Sequence, residues 1–509
     1  MSLPIGLPPP ASSADARRDP HPSTKIILET MVTLGGIQAA AMVFNLIRSK
    51  VAAVALGTVG VGAISVIDQV TILIAQLAAF SLPVAGIKFL SAAHSESHAE
   101  FAALYSALFR ALLLLSLAGT VLAAACLAWK PEILGAELER YRWIALLGLI
   151  AIPATNLTVL LTNTMAASKA SRASALFGLA GSILLAATCS VGIATAGIRG
   201  YYLANFAATG ALVLGGIVYL RKRQNLNIGG FPDGVHVKLR RHARILKFSA
   251  AMYATSFSSP LSDLLVRYAV LLSGGLSTTG LFQAASGMGL MLRSILRPSF
   301  SLFLTPALNR KGTTEQKALE AAMFFRVLSL LLGIAALPIV LFPSLWMSLL
   351  YSKAFEPAAS GIYLFVLGVG VQLLAAVNVA LLLGLDDIRA YVWTSVGADA
   401  ATALLAWFLA PRLGLSGVGL AFILDGAVVF SFSSSWLWRR HGVSIRKAIG
   451  WMPPSIVAIL AGAGMLSSRP GIDTAGVIVL KCGLLGAFVL CFLKLVRSGD
   501  EGLARALRR

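Results

Sequence analysis

Long apolar segments separated by short polar connections recur along the chain between Lys25 and Arg497. Each segment approaches the roughly 20 residues that an α-helix needs to cross the hydrocarbon core of a bilayer. The pattern therefore predicts about fourteen transmembrane helices. The predicted spans are 25–47, 61–87, 103–129, 143–165, 173–196, 200–220, 248–272, 279–304, 321–343, 360–384, 390–410, 416–438, 451–468 and 474–496.

The composition agrees with this pattern. Hydrophobic residues make up 57% of the 509 residues, and charged residues make up 12%, whereas soluble globular domains carry about 25% charged residues. This composition excludes a soluble enzyme and a nucleic-acid-binding domain. An outer-membrane barrel is excluded because its strands would alternate apolar and polar residues over about ten positions. The expected fold class is an all-α polytopic membrane protein.

The net charge of +21 is explained by membrane topology. An even number of spans places both termini on one side of the membrane. With the termini in the cytoplasm, 27 of the 42 Lys and Arg residues fall on the cytoplasmic side, or 25 without Lys88 and Arg110 at span edges, and nine fall outside. Positive residues collect on cytoplasmic loops, so we expect cytoplasmic termini and no nucleic-acid partner.

The chain contains an internal echo at an offset of 216 to 219 residues. The segment FRALLLLSLAG from Phe109 matches FRVLSLLLGIA from Phe325, and GIRGYYLA from Gly197 matches GLSGVGLA from Gly414. This echo predicts two six-helix lobes. Since six is an even number, the lobes have the same orientation and are related by a pseudo-two-fold axis along the membrane normal.

The expected domain organisation follows from the spans and the echo. The lobes cover 25–220 and 248–438, and the segment 439–509 adds two further helices and a basic tail. Residues 1–24 contain several prolines and lack the apolar core of a signal peptide, so we expect a disordered cytoplasmic tail. The linker 221–247 carries eight basic residues and is expected to bind anionic membrane lipids and fix orientation; a regulatory or partner surface is the alternative.

The architecture and one segment resemble a known family. The segment GGIQAAAMVFNLIRSKVAAVALGTVGVGAISVI, which ends at Ile67, is similar to the first two spans of the polysaccharide-flippase branch of the multidrug/oligosaccharidyl-lipid/polysaccharide exporter (MOP) superfamily. The resemblance departs at Thr58 and Val59, where relatives often carry an acidic residue before the second glycine. By architecture it covers residues 25–438.

The resemblance implies a function. A protein of this branch moves polyprenyl-diphosphate-linked oligosaccharide from the cytoplasmic to the periplasmic leaflet of the bacterial inner membrane by alternating access, for O-antigen or exopolysaccharide synthesis. A polysaccharide polymerase or glycosyltransferases are expected partners. A cation-coupled multidrug or metabolite antiporter of the same superfamily is the alternative.

Enzyme classes receive little support from the motifs. The chain has no GxxxxGK[ST] segment and therefore no P-loop. A membrane polymerase or ligase would need catalytic groups on a sizeable outside loop, but the longest one, about 130–142, offers Glu132, Glu137 and Glu139 without a histidine. We therefore expect a carrier with no catalytic residues.

Two arginines in one predicted span are candidate ligands for a diphosphate. Arg293 and Arg297 lie four residues apart, which places them on one face of a helix. Because an arginine within the bilayer costs about 2.5–3.5 kcal/mol on insertion scales, it usually faces a wet cavity or a partner. Guanidinium groups bind phosphate oxygens bidentately. The alternative is pairing with an acid on a neighbouring helix.

Four charged residues nearer the outer face are candidates for a gate. The arginines Arg48 and Arg267 correspond through the echo, and Asp68 and Asp263 lie in the same region. We expect the arginines to bridge to the acids when the cavity closes outward. An ion pair within one helix between Asp263 and Arg267 is the alternative.

Two acids in the second lobe are candidates for ion coupling. Asp399 and Asp425 fall near the middle of two predicted spans, and buried carboxylates of this kind bind Na⁺ or exchange protons. Structural pairing or a satisfied hydrogen bond is the alternative. No other cofactor is expected. His94 and His98 have the spacing of a metal pair on a helix but no third ligand, so no metal site is predicted.

Overall fold

The computed structural model describes residues 24–130, 135–168, 170–226, 239–297, 299–309, 312–444, 452–467, 478–479 and 481–486. Within these ranges the fold is all-α. The α-helices are α1 (Thr24–Ala79), α2 (Leu82–Glu96), α3 (His98–Trp129), α4 (Arg142–Ile150), α5 (Ile152–Ala167), α6 (Ser171–Gln224), α7 (Leu239–Leu296), α8 (Thr305–Asn309), α9 (Thr314–Leu341), α10 (Pro343–Leu350), α11 (Ile362–Gly384), α12 (Ile388–His441) and α13 (Met452–Ser467).

Among the described residues, eight helical segments are long and apolar enough to cross a membrane. Large apolar side chains are exposed along them, for example Leu114 at 67% and Val121 at 67%. A helix is required there because lipid offers no hydrogen-bond partner to the backbone. The protein is thus a multi-pass helical membrane protein, as its composition predicts.

Each of the four longest helices is interrupted at a glycine. The breaks lie at Gly57 (φ 64°), Gly197 (φ 59°), Gly275 (φ 71°) and Gly414 (φ 57°). These φ values fall in the left-handed region, which glycine enters without steric cost. Each of these helices therefore consists of two helical segments. We name those of α1 α1a (24–56) and α1b (58–79), and those of α7 α7a (239–274) and α7b (276–296).

The interruptions recur at two offsets, 218 residues between Gly57 and Gly275 and 217 residues between Gly197 and Gly414. These offsets fall within the range of the sequence echo. We call residues 24–226 the first half and residues 239–444 the second half. The two lobes and the count of fourteen spans stay predictions. The predicted tail 1–24, except Thr24, lies outside the described residues, as do most of the last span 474–496 and part of the linker 221–247.

Some predicted span ends differ from the observed helices. The span predicted over 61–87 ends earlier, because α1b stops at Ala79 and the next two residues, Phe80 and Ser81, adopt left-handed φ values of 46° and 53°. The helix α2 then begins at Leu82, with Pro83 in its first turn, a position that suits a residue without a backbone N–H.

The helices pack around two apolar clusters. One cluster extends through both halves and includes Ile67, Phe282 and Phe365. The other joins α2, α3 and α5 in the first half. The helix α1 packs on α7 and α6, and α12 packs on α11 and α7. The segments α1b and α7b therefore lie side by side at the boundary between the two halves.

Candidate functional site

The segments α1b and α7b are in backbone contact near their first turns. A Cβ atom added to Gly62 would lie 2.0 Å from the carbonyl oxygen of Leu276, and one added to Gly280 would lie 2.0 Å from that of Thr58. The hydroxyls of Thr58 and Ser277 are 2.8 Å apart and share a hydrogen bond. Any side chain at either glycine would force the helices apart. Because the two backbones are in direct contact, the two halves are closed against each other at this end.

Two charged side chains of the first half reach helix ends of the second half near this contact. The Glu137 carboxylate accepts a hydrogen bond of 2.9 Å from the backbone N–H of Leu276, the first residue of α7b. The Lys50 ammonium donates to the carbonyl oxygens of Ser348 (3.1 Å) and Leu349 (2.6 Å) at the end of α10. Each charge has the sign that stabilises the helix end it contacts. We call these two contacts the closing contacts.

In the first half, Asp68 is held by two tyrosines. Its carboxylate accepts hydrogen bonds from the hydroxyls of Tyr201 (3.0 Å) and Tyr202 (2.8 Å). The Arg48 guanidinium interacts with Asp68, with Tyr201 and with the thiol of Cys189. The structure thus brings together Arg48 and Asp68 of the first half, and Asp68 also interacts electrostatically with Arg267 of the second half.

The third gate candidate, Arg267, connects α7a to the boundary between the halves. Its guanidinium donates to the Ser65 hydroxyl on α1b (3.0 Å) and to the Gln283 side-chain oxygen on α7b (3.2 Å). It also donates to the backbone carbonyl of Asp263 (3.0 Å). Because Arg267 is 8% exposed and its guanidinium is occupied, it serves as a hydrogen-bonding hub. The Asp263 carboxylate also interacts electrostatically with Arg267, so the ion pair within one helix stays a prediction beside this contact to the Asp263 backbone.

The second half contains a polar cluster around Arg293. The guanidinium donates to the side-chain oxygen of Gln372 (2.5 Å), whose amide donates to Asp425 (2.8 Å). Asp263, Asp399 and Asp425 all interact electrostatically with Arg293. Arg293 is one of the two arginines predicted to bind a diphosphate. In the structure it is surrounded by Asp263, the fourth gate candidate, and by the two candidates for ion coupling, Asp399 and Asp425. We call these four charged residues, with Gln372, the Arg293 cluster.

Asp399 is fixed by hydroxyls rather than by a basic partner. The Ser258 hydroxyl donates to its carboxylate (2.5 Å), and the Ser262 hydroxyl donates to its backbone carbonyl (2.6 Å). The Asp425 carboxylate is buried, and both Gln372 and the Thr402 hydroxyl interact with it. Within the described residues, no group of three His, Cys, Asp or Glu side chains is arranged to hold a metal ion.

Arg297 differs from Arg293 in its surroundings. Its side chain is exposed just beyond the end of α7b, one helical turn from Arg293. Within the described part of the chain its guanidinium donates no hydrogen bond to a protein oxygen. The same end of α7b borders the first half, where the Ser294 hydroxyl lies 3.6 Å from the Met42 sulfur on α1a. Arg297 is therefore available to an anion near the boundary between the halves.

Several residues of these clusters were not identified from the sequence. Glu137 was noted only as part of an outside loop, and Tyr201 and Tyr202 only as part of the echo. Gln372 and Ser258 belong to no motif. Polar residues within spans most often connect helices, so nothing in the sequence distinguishes these two. Their roles follow from contacts between helices that are distant in sequence.

No protein-family model matches the chain, and no curated protein sequence matches it. Its fold is similar to solved transporter structures. A multidrug resistance MATE family transporter of the MOP superfamily in an inward-facing conformation matches with 14% identity and a TM-score of 0.64, over 80% of this chain and 96% of that one.

Two other solved structures share the fold. The lipid II flippase MurJ in an inward closed conformation matches with 13% identity and a TM-score of 0.67, over 92% of this chain and 99% of that one. A MOP superfamily transporter from Pyrococcus furiosus matches with 12% identity and a TM-score of 0.62, over 84% and 96% of the two chains. The chain thus has the helical fold of MOP superfamily transporters.

Proposed function

We propose that this protein is an alternating-access flippase that moves a lipid-linked oligosaccharide diphosphate across the bacterial inner membrane. The observation that carries the proposal is the position of Arg293 in the last turn of α7b and of Arg297 one turn further on, just beyond its end, where that segment borders the first half. The lipid flippase structure also matches a larger share of the chain than the MATE transporter does, 92% against 80%. This larger share supports a set of helices like that of the flippase.

The two arginines suit a diphosphate. A guanidinium presents paired N–H groups that match phosphate oxygens, and such charge-assisted hydrogen bonds are stronger than neutral ones. The exposed Arg297 would bind the first phosphate oxygens. Arg293 would join when Gln372 releases its guanidinium, since that amide is a neutral and exchangeable partner.

The contact between α1b and α7b supports alternating access. Its outer end rests on two glycines and a pair of hydroxyls, and further along it Ser65 is hydrogen-bonded to Gln283 and Arg267, so these few polar contacts have to separate when the halves part. With the termini in the cytoplasm, this closed end faces the periplasm and the substrate enters from the cytoplasmic side. Opening would then require the closing contacts of Glu137 and Lys50 to break.

A cation-coupled antiporter is the second candidate, and the Arg293 cluster favours it. Three carboxylates surround one guanidinium, which leaves the cluster with a formal negative charge when all of them are ionised. Such a cluster would attract Na⁺, H⁺ or an organic cation rather than a diphosphate. The two functions are compatible if the acids couple ion entry to the release of Arg293.

The test is binding of a polyprenyl-diphosphate-linked sugar to the purified protein. Wild type is expected to bind saturably, and the double variant Arg293→Ala/Arg297→Ala is expected to lose binding. Arg412→Ala is the matched control, because Arg412 is exposed on α12 and donates only to the Phe408 carbonyl. Equal binding by all three proteins would remove the arginines from the site, and tight binding of organic cations alone would favour the antiporter.

A further inference from the structure

An apolar groove lies on the outer surface of the first half, between α1b, α3 and α4. Its volume is about 440 Å³, and its lining includes Ile74, Leu77, Leu122 and Leu149. Leu122 is 68% exposed, so the groove opens to the lipid-facing side of the helices. Its lining residues all belong to the first half.

Small residues create the space in the groove. Gly119 on α3 packs so closely on Ala78 that an added Cβ would lie 2.6 Å from the Ala78 Cβ. The helices α3 and α4 are held together by a hydrogen bond of 3.4 Å from the Thr120 hydroxyl to the Leu149 carbonyl. Ala123 also lines the groove. These contacts fix the walls, and no described residue fills the space between them.

Cationic residues stand at one end of the groove. Arg142 begins α4 and lies on the same helical face as Ala145 and Leu149, which line the groove. Its Nε atom is buried and has no hydrogen-bond partner among the described residues. Lys130 follows the last residue of α3, one turn after Cys126, which is another lining residue.

Exposed tryptophans mark this end as a membrane–water interface. Trp129 is 83% exposed and Trp143 is 67% exposed, and the Arg142 guanidinium lies 5.0 Å from the centre of the Trp143 ring. Tryptophan is enriched at the level of the lipid headgroups. The groove therefore places an apolar channel in the hydrocarbon region and positive charge at headgroup level.

We propose that this groove binds an anionic phospholipid of the bilayer, with one acyl chain between α1b, α3 and α4 and the phosphate at Arg142. A cavity of about 150 Å³ holds one benzene molecule, so this groove has room for roughly one chain of about eighteen carbons. A polyprenyl chain is much longer than that. The positive charge of Arg142 and Lys130 selects an anionic headgroup over a zwitterionic one. The inference is independent of which substrate the protein carries.

The test is native mass spectrometry of the full-length protein in mild detergent, titrated with phosphatidylglycerol or phosphatidylcholine of the same acyl chains. Wild type is expected to prefer phosphatidylglycerol. Arg142→Gln should weaken that binding about fivefold, because one cation near an anionic headgroup contributes about 1 kcal/mol, and it should weaken phosphatidylcholine binding less, because the choline cation already opposes the attraction between Arg142 and that headgroup. Arg140→Gln is the matched control, since Arg140 is exposed, stacks on Tyr141 and precedes α4, so the same charge is removed without changing the helical face that lines the groove.

A second pair of variants tests the groove itself. Ala123→Phe should fill it and abolish binding of both lipids, whereas Ala125→Phe places the same side chain at an exposed position of α3 that does not line the groove. If Ala123→Phe does not fold, the comparison of Arg142→Gln with Arg140→Gln decides whether the proposal stands. The proposal is overturned if Arg142→Gln binds phosphatidylglycerol as wild type does. It is also overturned if inorganic phosphate or a polyprenyl phosphate competes more strongly than phosphatidylglycerol.

Discussion

Glu137 caps the first turn of α7b across the boundary between the two halves, with its carboxylate 2.9 Å from the backbone nitrogen of Leu276. Thr58 and Val59 occupy the positions where proteins of the resembling family often carry an acidic residue. The structure instead provides a carboxylate from the 3₁₀-helix Ala136–Tyr141. Because the pair joins the halves only while this end is closed, it contributes directly to the balance between closed and open states.

Removing the charge of Glu137 should favour opening. In Glu137→Gln the hydrogen bond to Leu276 can persist, but the attraction to the helix N-terminus is lost, which is worth about 0.3–1 kcal/mol. The open population should rise about two- to fivefold. The measurement is the distance between spin labels at Val54 and Leu272 in a cysteine-free background, since both side chains are exposed, at 63% and 69%, near the breaks in α1 and α7.

Glu139→Gln is the control for this prediction. Glu139 lies on the same 3₁₀-helix and is exposed, so its loss changes the net charge equally without removing a contact to α7b. A distance distribution that shifts as far in Glu139→Gln as in Glu137→Gln would contradict a specific role for Glu137.

Lys50 makes a second, independent prediction at the same end. Lys50→Met removes hydrogen bonds to the carbonyls of Ser348 and Leu349 and the favourable charge at the end of α10. The same spin-label distance should lengthen, and the effect should add to that of Glu137→Gln because the two contacts share no partner. Lys353→Met, an exposed lysine just beyond α10, should leave the distribution unchanged.

The glycine contact predicts a steric effect. Gly62→Ala or Gly280→Ala would place a methyl group 2.0 Å from a carbonyl oxygen, so the helices must separate. We expect a loss of about 1–3 kcal/mol, seen as a lower unfolding temperature, or a wholly open distance distribution. Gly210→Ala, with no atom within 4 Å of the added Cβ, should be neutral or stabilising. Normal stability and a closed distribution in Gly62→Ala would disprove the contact.

Asp387, the residue just before α12, predicts that the stability of the fold depends on pH. Burial raises the pKa of this carboxyl, but hydrogen bonds from the Trp436 indole (2.9 Å), from the Ala390 backbone N–H and from His441, together with the charge of Arg440, outweigh it. The net pKa lies below the ordinary value of 3.8. The ionised carboxylate therefore stabilises the fold above that ordinary value, and this contribution is lost as pH falls through the lowered pKa.

The check is the unfolding temperature of Asp387→Asn as a function of pH. The variant should be less stable than wild type near neutral pH, and the difference should shrink once the wild-type carboxyl is protonated. Asp386→Asn is the control, because Asp386 is exposed with a φ of 60°, a conformation that asparagine tolerates. A stability difference for Asp387→Asn that does not change with pH would contradict the role of the charge.

The helices could be predicted from the sequence because a spanning segment has to be both apolar and helical. The end of α1b could not, since Ala79 and Phe80 are as apolar as their neighbours and the change of direction depends on backbone conformation. The close approach of α1b and α7b was equally hidden. A glycine such as Gly62 has the same appearance in sequence whether it lies in contact with another helix or faces lipid.

The charged clusters were predictable in part. The unusual position of charges within apolar segments identified Arg293, Asp399 and Asp425 individually. Their neighbours come from α7a, α11 and α12, and periodicity along one helix does not show which helices meet. For the same reason the sequence suggested a partner for Arg267 on its own helix, whereas Ser65 and Gln283 hold its guanidinium.

The most direct test of the proposed function is translocation in proteoliposomes. A polyprenyl-diphosphate-linked sugar in one leaflet would be followed by its accessibility to a lectin on the other side. We predict translocation that depends on the protein, is retained in Arg412→Ala and is lost in Arg293→Ala/Arg297→Ala. Translocation no faster than in protein-free liposomes, by wild-type protein with an intact fold, would contradict the proposed function.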